Sequence, residues 1–404
     1  MDKPNSPSAA CPHPAARDDR KSAALAARHL KTPPGSDMVE SFAFGREILR
    51  SPSMRQAMDV GDRFDLNHPD TVPVIFLDGE QHRRKRTAIA KFFTPKAVGT
   101  HYLGVMERVT GTLLADLQAA GGGRLDVVSL ELAVAVASEI VGLTASDRAA
   151  MSRRISASFS SGRRPPRGRL AKAVSGAIAG LRLLRFFYFD VRPAIGARRK
   201  ARGTDVISQL LDLGASDSAI LIECIVYASA GMITTREFIV MAAWHLFERD
   251  EVRSRFLEGN EGAQLAILEE ILRLEPVAGM VYRKAAEDMP RSEAGPLAAG
   301  RRFAIDIRAA NSDEAAVGPC PHALDPERAG QGKAGGHLSF GDGPHRCPGA
   351  PVALQETRIF LDRLLRLPGV ALERAPDMYW NATLMSYELR NAVVTCERPA
   401  PLER

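Results

Sequence analysis

The chain has 404 residues, of which 45% are hydrophobic and 25% are charged, a balance that is ordinary for a soluble globular protein with a large core. Its net charge of +6 mildly favours an acidic partner and is too small to indicate nucleic-acid binding. The five cysteines lie far apart and form no CxxC pair. This argues against a disulfide framework or a four-cysteine zinc site, and it favours reduced thiols in a cytoplasmic protein.

The amino end, "MDKPNSPSAACPHPAARDDRK", is polar and rich in proline and alanine. It has no apolar h-region, so it is not a secretory signal, and no apolar run there is long enough to cross a membrane. We expect residues 1–40 to be a disordered or irregular lead-in. Residues 41–404 then form a single domain, with no membrane partner.

The pattern from Ser41 to Leu257 is mostly helical. "HRRKRTAIAKFFTPKAV" predicts a helix start with a break near Pro95. "SSGRRPPRGR" is a basic proline loop, and "AVSGAIAGLRLLRFFYFDVRP" predicts an apolar helix followed by an exposed loop.

The longest predicted helix covers roughly Ser216 to Arg249, and Ser216 or Asp217 can cap it. It is apolar nearly all round, so we expect it to cross the core rather than lie on the core's surface. Its middle holds Gly231 and a pair of threonines. Helices that break a local rule in this way often do so at a functional site.

Strands are predicted only late in the chain. After the helix "QLAILEEILRLEP", the stretches "GMVYRKAAED" and "RRFAIDIRAAN" alternate like strands. The helix "RIFLDRLLRL" is stopped by Pro368 and Gly369, and short strands finish the chain. The sequence therefore predicts a mainly α fold with small β-sheets, and not a βαβ alternation.

One cysteine, Cys347, lies in a glycine-rich loop directly before that last helix. It could be a small buried hydrophobic residue, as most free cysteines are. It could bind zinc together with His345, Cys320 and His322, although their spacing fits no regular zinc pattern. It could also be a thiolate metal ligand, because a helix amino end lowers a thiol pKa and glycines let the backbone pass close under a flat group. A single thiolate without a second protein ligand suits haem iron.

The stretch "FGDGPHRCPGA" resembles the haem-binding signature of the cytochrome P450 family, a strong signal because several residue types are fixed in a short window. The matching residues are Phe340, Gly341, Gly343, His345, Cys347 and Gly349. The resemblance covers roughly Phe42 to the carboxyl end. It implies a single-domain P450 fold with haem b, a long central helix over the haem, and Cys347 as the axial iron ligand.

Other matches fall in the family's order. Glu270 and Arg273 match its ExxR helix, whose i,i+3 spacing places both side chains on one face as a structural pair. Alone, ExxR is more often an exposed helix pair. The resemblance assigns the haem propionates to cations at separate places: His82, Arg86, Arg283 and His345. For His82 and Arg86, the alternative is a solvated basic face within "HRRKR".

The long helix departs from the family pattern. The family reads Ala-Gly-x-acid-Thr, and this chain has Ala230, Gly231, Met232, Ile233 and Thr234. The family's acid and alcohol manage proton delivery during oxygen activation, and here only the catalytic alcohol, Thr234, remains. Thr234 could instead simply bond back to a helix carbonyl. A second departure is the missing arginine before His337, for which Arg328 or Lys333 is the candidate partner of Glu270.

The resemblance implies a soluble, bacterial-type monooxygenase that uses O2 and two electrons from an external donor. The alternative is a haem protein without oxygenase activity, or an enzyme that uses peroxide or performs atypical oxidations, because of Ile233. Arg83, Arg84, Lys85 and Arg346 suggest an acidic donor such as a ferredoxin with its reductase, or merely a solvated surface. The residues expected to line the pocket are apolar and imply a lipophilic small molecule: Met232, Ile233, Val277, Met280, Leu384 and Met385.

Overall fold

The structure is a computed structural model, and it describes residues 17–57, 72–159, 168–328 and 336–399. Contacts divide these residues into two compact units. The first unit comprises 17–57, 266–328, 336–346 and Leu384–Ser386. The second comprises 72–159, 168–265, Cys347–Thr383 and 387–399.

The α-helices of the described residues are α1 Ala23–His29, α2 Phe42–Arg50, α3 Gly79–Ala90, α4 Pro95–Ala97, α5 Leu103–Ala120, α6 Leu125–Val141, α7 Arg148–Phe159, α8 Arg169–Phe186, α9 Arg192–Lys200, α10 Val206–Asp212, α11 Asp217–Tyr227, α12 Thr234–Phe247, α13 Asp250–Glu258, α14 Glu261–Leu274, α15 Ile307–Asn311, α16 Glu314–Val317 and α17 Ala350–Leu365. The strands are β1 Asp37–Val39, β2 Met54–Gln56, β3 Gly122–Arg124, β4 Met280–Ala285, β5 Arg302–Asp306, β6 Ala371–Arg374, β7 Asp377–Asn381, β8 Ser386–Arg390 and β9 Val393–Thr395. The expected mainly α fold with small sheets is confirmed.

The first unit is built on a four-stranded sheet with the order β1-β5-β4-β2. Strand β5 pairs with β1 in parallel and with β4 antiparallel, with Val281 opposite Ile305. An apolar cluster that includes Ile48, Phe303 and Leu338 packs α2 against this sheet. The expectation of an irregular lead-in up to residue 40 is wrong for its described part, because helix α1 and strand β1 lie there.

The second unit is helical, and its core lies along the long helix predicted around residue 230. That helix consists of α11, a π-helix over Ala228–Ile233, and α12. The Ser216 hydroxyl caps it by accepting from the Ala219 N–H at 3.2 Å, as predicted. The π-helix coincides with the glycine and threonines that the sequence singled out, and π-bulges are frequent at functional sites.

Two predictions around the apolar segment after residue 170 have different outcomes. The helix itself is present as α8. The exposed loop expected after it is wrong, since Phe187–Val191 continue as a π-helix whose Asp190 and Val191 are buried, and α9 follows directly. The basic proline loop falls largely on residues 160–167, outside the described residues.

Among the described residues, one helical stretch, Asp217–Phe247, has the length and apolar character needed to cross a membrane. In its most apolar window 44% of the residues are buried inside the protein, and the core helix of a soluble protein meets the same criterion. This stretch is the long helix described above.

The carboxyl-terminal part of the second unit contains α17 and short strands, as predicted. Helix α17 begins two residues after Pro348 with Gly349 as its N-cap. Strands β3, β9 and β6 form an antiparallel sheet, and β7 pairs with β8. This arrangement fixes Cys347 at the amino end of a sixteen-residue helix.

Candidate active site

Cys347 is a half-buried thiol of the second unit and is not part of a disulfide. The amino end of α17 carries partial positive charge, which favours a thiolate there. A Cβ added at Gly349 would lie 3.9 Å from the Cys347 Sγ and would meet no other atom within 4 Å beyond its chain neighbours. Cys224 is the contrast: it is wholly buried, and burial raises the pKa of its thiol far above the ordinary value. Cys347 is therefore not the inert buried cysteine of the first interpretation.

His82 and Arg86 lie one turn apart on α3, in the same unit as Cys347. Burial lowers the pKa of the Arg86 guanidinium, while the negative charge of a Cys347 thiolate acts in the opposite direction. The nearby Tyr227 hydroxyl is buried and has no hydrogen-bond partner within the described ranges. A cation beside a thiol and an unsatisfied hydroxyl fit a group that carries both a metal and a carboxylate.

The long helix has one open face at its π-helical segment. Ala230 is exposed, Thr234 is half-buried, and a side chain added at Gly231 would meet no atom within 4 Å. Open space beside the middle of a core helix suits a bound group of some size. The Thr234 hydroxyl donates to the Ala230 carbonyl at 2.6 Å, which is the helix back-bond that the sequence analysis kept as the alternative.

The two residues between Gly231 and Thr234 point elsewhere. Met232 has no exposed surface and packs in the apolar core of the second unit. Its side chain is fully enclosed by protein, and its assignment to the pocket stays a prediction. Ile233 is buried in the same cluster and retains 4% exposure. Sequence could not separate these directions in a helix that is apolar all round.

A buried carboxyl group in α17 escaped the sequence analysis. Glu356 is wholly buried, and burial raises its pKa well above the ordinary value, while a hydrogen bond with Thr235 acts in the opposite direction. Its Oε2 has no hydrogen-bond partner among the residues described. The Thr235 hydroxyl also donates to the Gly231 carbonyl at 2.6 Å. In the sequence, a glutamate in an amphipathic helix resembles an exposed residue, so nothing in the pattern indicates that Glu356 is buried.

In the first unit, Glu270 and Arg273 form the predicted pair, and both are buried. Arg273 Nε and Nη2 donate to the two carboxylate oxygens of Glu270 at 2.7 and 2.8 Å. Arg328 Nε is 3.3 Å from the same carboxylate, so Arg328 is a partner, as suggested. Lys333, the other candidate, lies outside the described residues.

The two arginines fasten a loop of the first unit. Arg273 donates to the carbonyls of Asn311 and Pro321 at 2.8 and 2.7 Å, and Arg328 to that of Cys320 at 3.1 Å. Cys320 is disulfide-bonded, so the expectation of reduced thiols is wrong for this residue. The zinc interpretation also fails, because a disulfide sulfur is no thiolate ligand. Within the described ranges, no group of three or more His, Cys, Asp or Glu residues could hold a metal ion.

The signature loop before Cys347 is fixed from α2. Gly343 has a φ of +65°, and a side chain there would come within 2.4 Å of the Leu49 carbonyl oxygen. Burial alone would raise the pKa of Asp342, but hydrogen bonds from Arg50, Arg46 and the Gly343 N–H bring it below its ordinary value. The glycine is thus required by neighbouring backbone, a reason that the sequence analysis did not foresee.

The remaining cofactor candidates of this unit are partly enclosed. Arg283 is buried in β4, where it donates to the Gln56 Oε1 at 2.7 Å. His345 is half-buried at the end of a short 3-10 turn. The Phe340 ring lies 5.7 Å from the ring of His337, whose pKa is lowered to about 3 by burial and by Arg273 and Arg346.

Four of the predicted pocket residues share the first unit. The Gly279 N–H donates to the Leu384 carbonyl at 2.8 Å, which brings the segment of Val277 and Met280 beside Leu384 and Met385. Arg308 donates to the Met385 carbonyl at 3.0 Å and holds it in a left-handed conformation. These apolar residues therefore form one fixed group.

The expected basic surface is smaller than predicted. Arg83 and Arg84 are exposed on α3 of the second unit, and Arg346 is exposed in the first. Lys85 instead turns inward to Glu223 at 3.5 Å and to the Val72 carbonyl at 2.7 Å. A cation paired with a buried carboxylate offers little charge to a partner.

A search against protein families matches the cytochrome P450 family model to residues 265–373, which hold the Glu270–Arg273 pair and the Cys347 loop. Biflaviolin synthase CYP158A1 of Streptomyces coelicolor is 30% identical over 321 residues, which cover 77% of this chain and 74% of that protein. The biotin biosynthesis cytochrome P450 of Bacillus subtilis is 29% identical over 324 residues, which cover 78% of this chain and 77% of that protein.

Solved structures agree in fold. P450BioI, determined in complex with a hexadec-9Z-enoic acid-ligated acyl carrier protein, has a TM-score of 0.72 at 24% identity, over 89% of this chain and 92% of that one. CalO2 has a TM-score of 0.73 at 22% identity, over 92% and 94%. At such identities the likeness concerns the fold alone.

Proposed function

Since the chain belongs to the cytochrome P450 family, and is a monooxygenase with haem b as its cofactor, we propose that it uses O2 and two externally supplied electrons to oxidise a lipophilic small molecule. The observation that carries this proposal is the half-buried Cys347 thiol at the amino end of α17, with Arg86 near enough for the two charges to interact. The cytoplasm is the proposed location.

Cys347 is the residue proposed to bind the haem iron through its thiolate. That thiolate would supply electron density to the iron, which favours O–O cleavage. The helix amino end stabilises the thiolate, and Pro348 has no N–H to donate to the sulfur, which keeps the sulfur electron-rich. Gly349 places no side chain next to the sulfur, since a Cβ there would lie 3.9 Å from the Cys347 Sγ. Phe340 is a further residue of the same signature.

We assign the haem propionates to the cations His82, Arg86, Arg283 and His345. A dicarboxylate needs several positive partners, and hydrogen bonds between ions are about twice as strong as neutral ones. The partial burial of Arg86 supports this role, since a guanidinium held out of water gains most from an incoming carboxylate. Glu270 and Arg273 act structurally by fastening the loop around Pro321.

Ala230, Gly231 and Thr234 are the residues proposed to face the cofactor and oxygen. Their face of the long helix is open, whereas Ile233 lies in the core. Thr234 is the proposed catalytic residue, and its hydroxyl must turn from the Ala230 carbonyl to donate elsewhere. Because the Ile233 side chain has no acidic proton to donate, the protons for oxygen activation must come from water, the substrate or another residue.

The substrate is proposed to be lipophilic because the fixed group of Val277, Met280, Leu384 and Met385 is apolar. A compound library screened for shifts of the haem absorption band tests this directly. Apolar compounds should produce saturable shifts, and a library in which only highly polar compounds do so would overturn the assignment.

The electron donor is proposed to be an acidic ferredoxin with its reductase, which suits the exposed Arg83 and Arg84 of the second unit. Reduction by a surrogate ferredoxin should slow as salt increases, and Arg83→Glu with Arg84→Glu should slow it further. A rate insensitive to both would contradict an electrostatic docking site.

Ile233 favours a second candidate, an enzyme that uses hydrogen peroxide, because peroxide brings the oxygen together with the two electrons and two protons that O2 would still need. Product formation with peroxide alone, set beside product formation with a ferredoxin, reductase and O2, separates the two. If turnover with peroxide is faster than turnover with ferredoxin, reductase and O2 at the same enzyme concentration, the protein is a peroxide-using enzyme and the first proposal is wrong.

A further inference from the structure

Helix α8 presents its apolar side chains to solvent. Leu170, Val174, Leu181 and Leu184 share one helix face, because their spacings of four, seven and three residues follow the helical repeat. Leu170 is 79% exposed and Leu181 is 58% exposed. Phe186, on the opposite side, is buried in the core of the second unit. The apolar face of this helix therefore points outward.

The exposed face extends past the end of α8 to Tyr188 and Phe189. Eight of the eleven exposed large apolar side chains of the described residues lie in this stretch of 20, from 170 to 189, so they form a cluster rather than a random scatter. Clustered exposed apolar surface marks an interaction site in soluble proteins.

The charges around this face all have one sign. Arg169, Lys172, Arg182 and Arg185 are basic, and no acidic residue occurs between Arg169 and Phe189. A second copy of the chain would bring like charges together if the two α8 faces met, which disfavours self-association. An anionic surface complements the charges.

We propose that the apolar face of α8 docks on the surface of an anionic lipid bilayer and lies in the plane of the interface. A helix with basic residues beside an aliphatic face is typical of such peripheral binding. The aliphatic face runs the length of α8, about 27 Å at 1.5 Å per residue, and ends at two aromatic side chains. The hydrocarbon of a bilayer is fluid, so it can bury this face without a complementary shape. A protein partner would need a groove whose shape fits the helix. We expected no membrane partner because the amino end has no membrane-spanning segment. A helix that lies on the bilayer surface does not require a spanning segment.

The test uses the full-length, haem-loaded protein and sedimentation with lipid vesicles. One set contains equal parts of phosphatidylglycerol and phosphatidylcholine, and the other contains phosphatidylcholine alone. The wild type should sediment with the anionic vesicles and be released by salt. Leu181→Glu should lower the partition coefficient by more than about tenfold, because one apolar side chain no longer enters hydrocarbon.

Leu213→Glu is the matched control, because Leu213 is 55% exposed in the same unit and lies outside α8. It should sediment like the wild type, with unchanged circular dichroism and haem absorption in both variants. A wild type that stays in solution as a monomer would overturn the proposal and leave an acidic protein as the occupant. A dimer that Leu181→Glu dissociates would show that a second copy covers the face. If Leu213→Glu loses vesicle binding as much as Leu181→Glu does, the binding is general adsorption and not docking through α8, which would contradict the proposal.

Discussion

Replacing Glu270 by alanine removes the carboxylate that two buried arginine side chains share. Arg273 binds it through two hydrogen bonds of 2.7 and 2.8 Å, and Arg328 approaches it at 3.3 Å. All three residues are at most 7% exposed, so water cannot replace the lost partner. Breaking a buried pair by removing one partner costs about 3–5 kcal/mol. A domain of ordinary stability has about 5–15 kcal/mol in total, so Glu270→Ala should fold poorly and lose haem.

The assay is urea unfolding monitored by circular dichroism. The haem-to-protein absorbance ratio of the purified protein is a second readout, which measures haem content. Glu270→Gln keeps the shape and one acceptor, so it should lie between the wild type and Glu270→Ala. Arg374→Ala is the control, because Arg374 and Asp377 form an exposed pair of the same i,i+3 spacing at 2.9 Å. It should leave the unfolding midpoint almost unchanged. A haem-loaded Glu270→Ala protein with a wild-type midpoint would refute the argument from burial.

Further predictions concern the long helix, α17 and the signature loop. Ile233 lies in the apolar core, so Ile233→Asp should lose stability from a buried carboxylate and leave the product formed per electron consumed unchanged; higher coupling with less peroxide release would show that a side chain at this position reaches the oxygen site. For Glu356, a folded-state pKa above 4.5 means that the wild type loses stability as pH rises from about 4.5, by at most about 1.4 kcal/mol per pH unit. The stability of Glu356→Gln relative to the wild type should therefore grow with pH between 5 and 8, and a pH-independent difference in thermal midpoints would contradict the raised pKa. Gly343→Ala should lower the unfolding midpoint far more than Gly341→Ala. Both glycines have a positive φ, but only a Cβ at Gly343 would lie 2.4 Å from the Leu49 carbonyl oxygen. Equal losses would show that the positive φ alone, and not the contact with Leu49, causes the destabilisation.

Sequence predicted the features that depend on local spacing. The cap at Ser216 and the Glu270–Arg273 pair follow from helix periodicity and hydrogen-bonding chemistry, and both are present. The Cys347 loop was found because several fixed residue types fall in a short window. The π-helix was predicted only as a disturbance around Gly231.

Sequence failed where tertiary packing decides. Met232 sits in a helix that is apolar all round, so no periodicity tells which side faces open space. Glu356 and Lys85 look like surface charges, and only the neighbouring helices show that they are enclosed. The apolar face of α8 was predicted as part of a helix, and its exposure could not be read from the pattern.

The most direct test of the account is the absorption spectrum of the reduced carbonyl complex of Cys347→Ser. Cys396→Ser is the matched control, because Cys396 is also half-buried, forms no disulfide and lies in the same unit. The wild type and Cys396→Ser should show the thiolate-type band of the family, and Cys347→Ser should lack it. A Cys347→Ser protein that binds haem and keeps this band would show that another group ligates the iron, and it would contradict the assignment of the site.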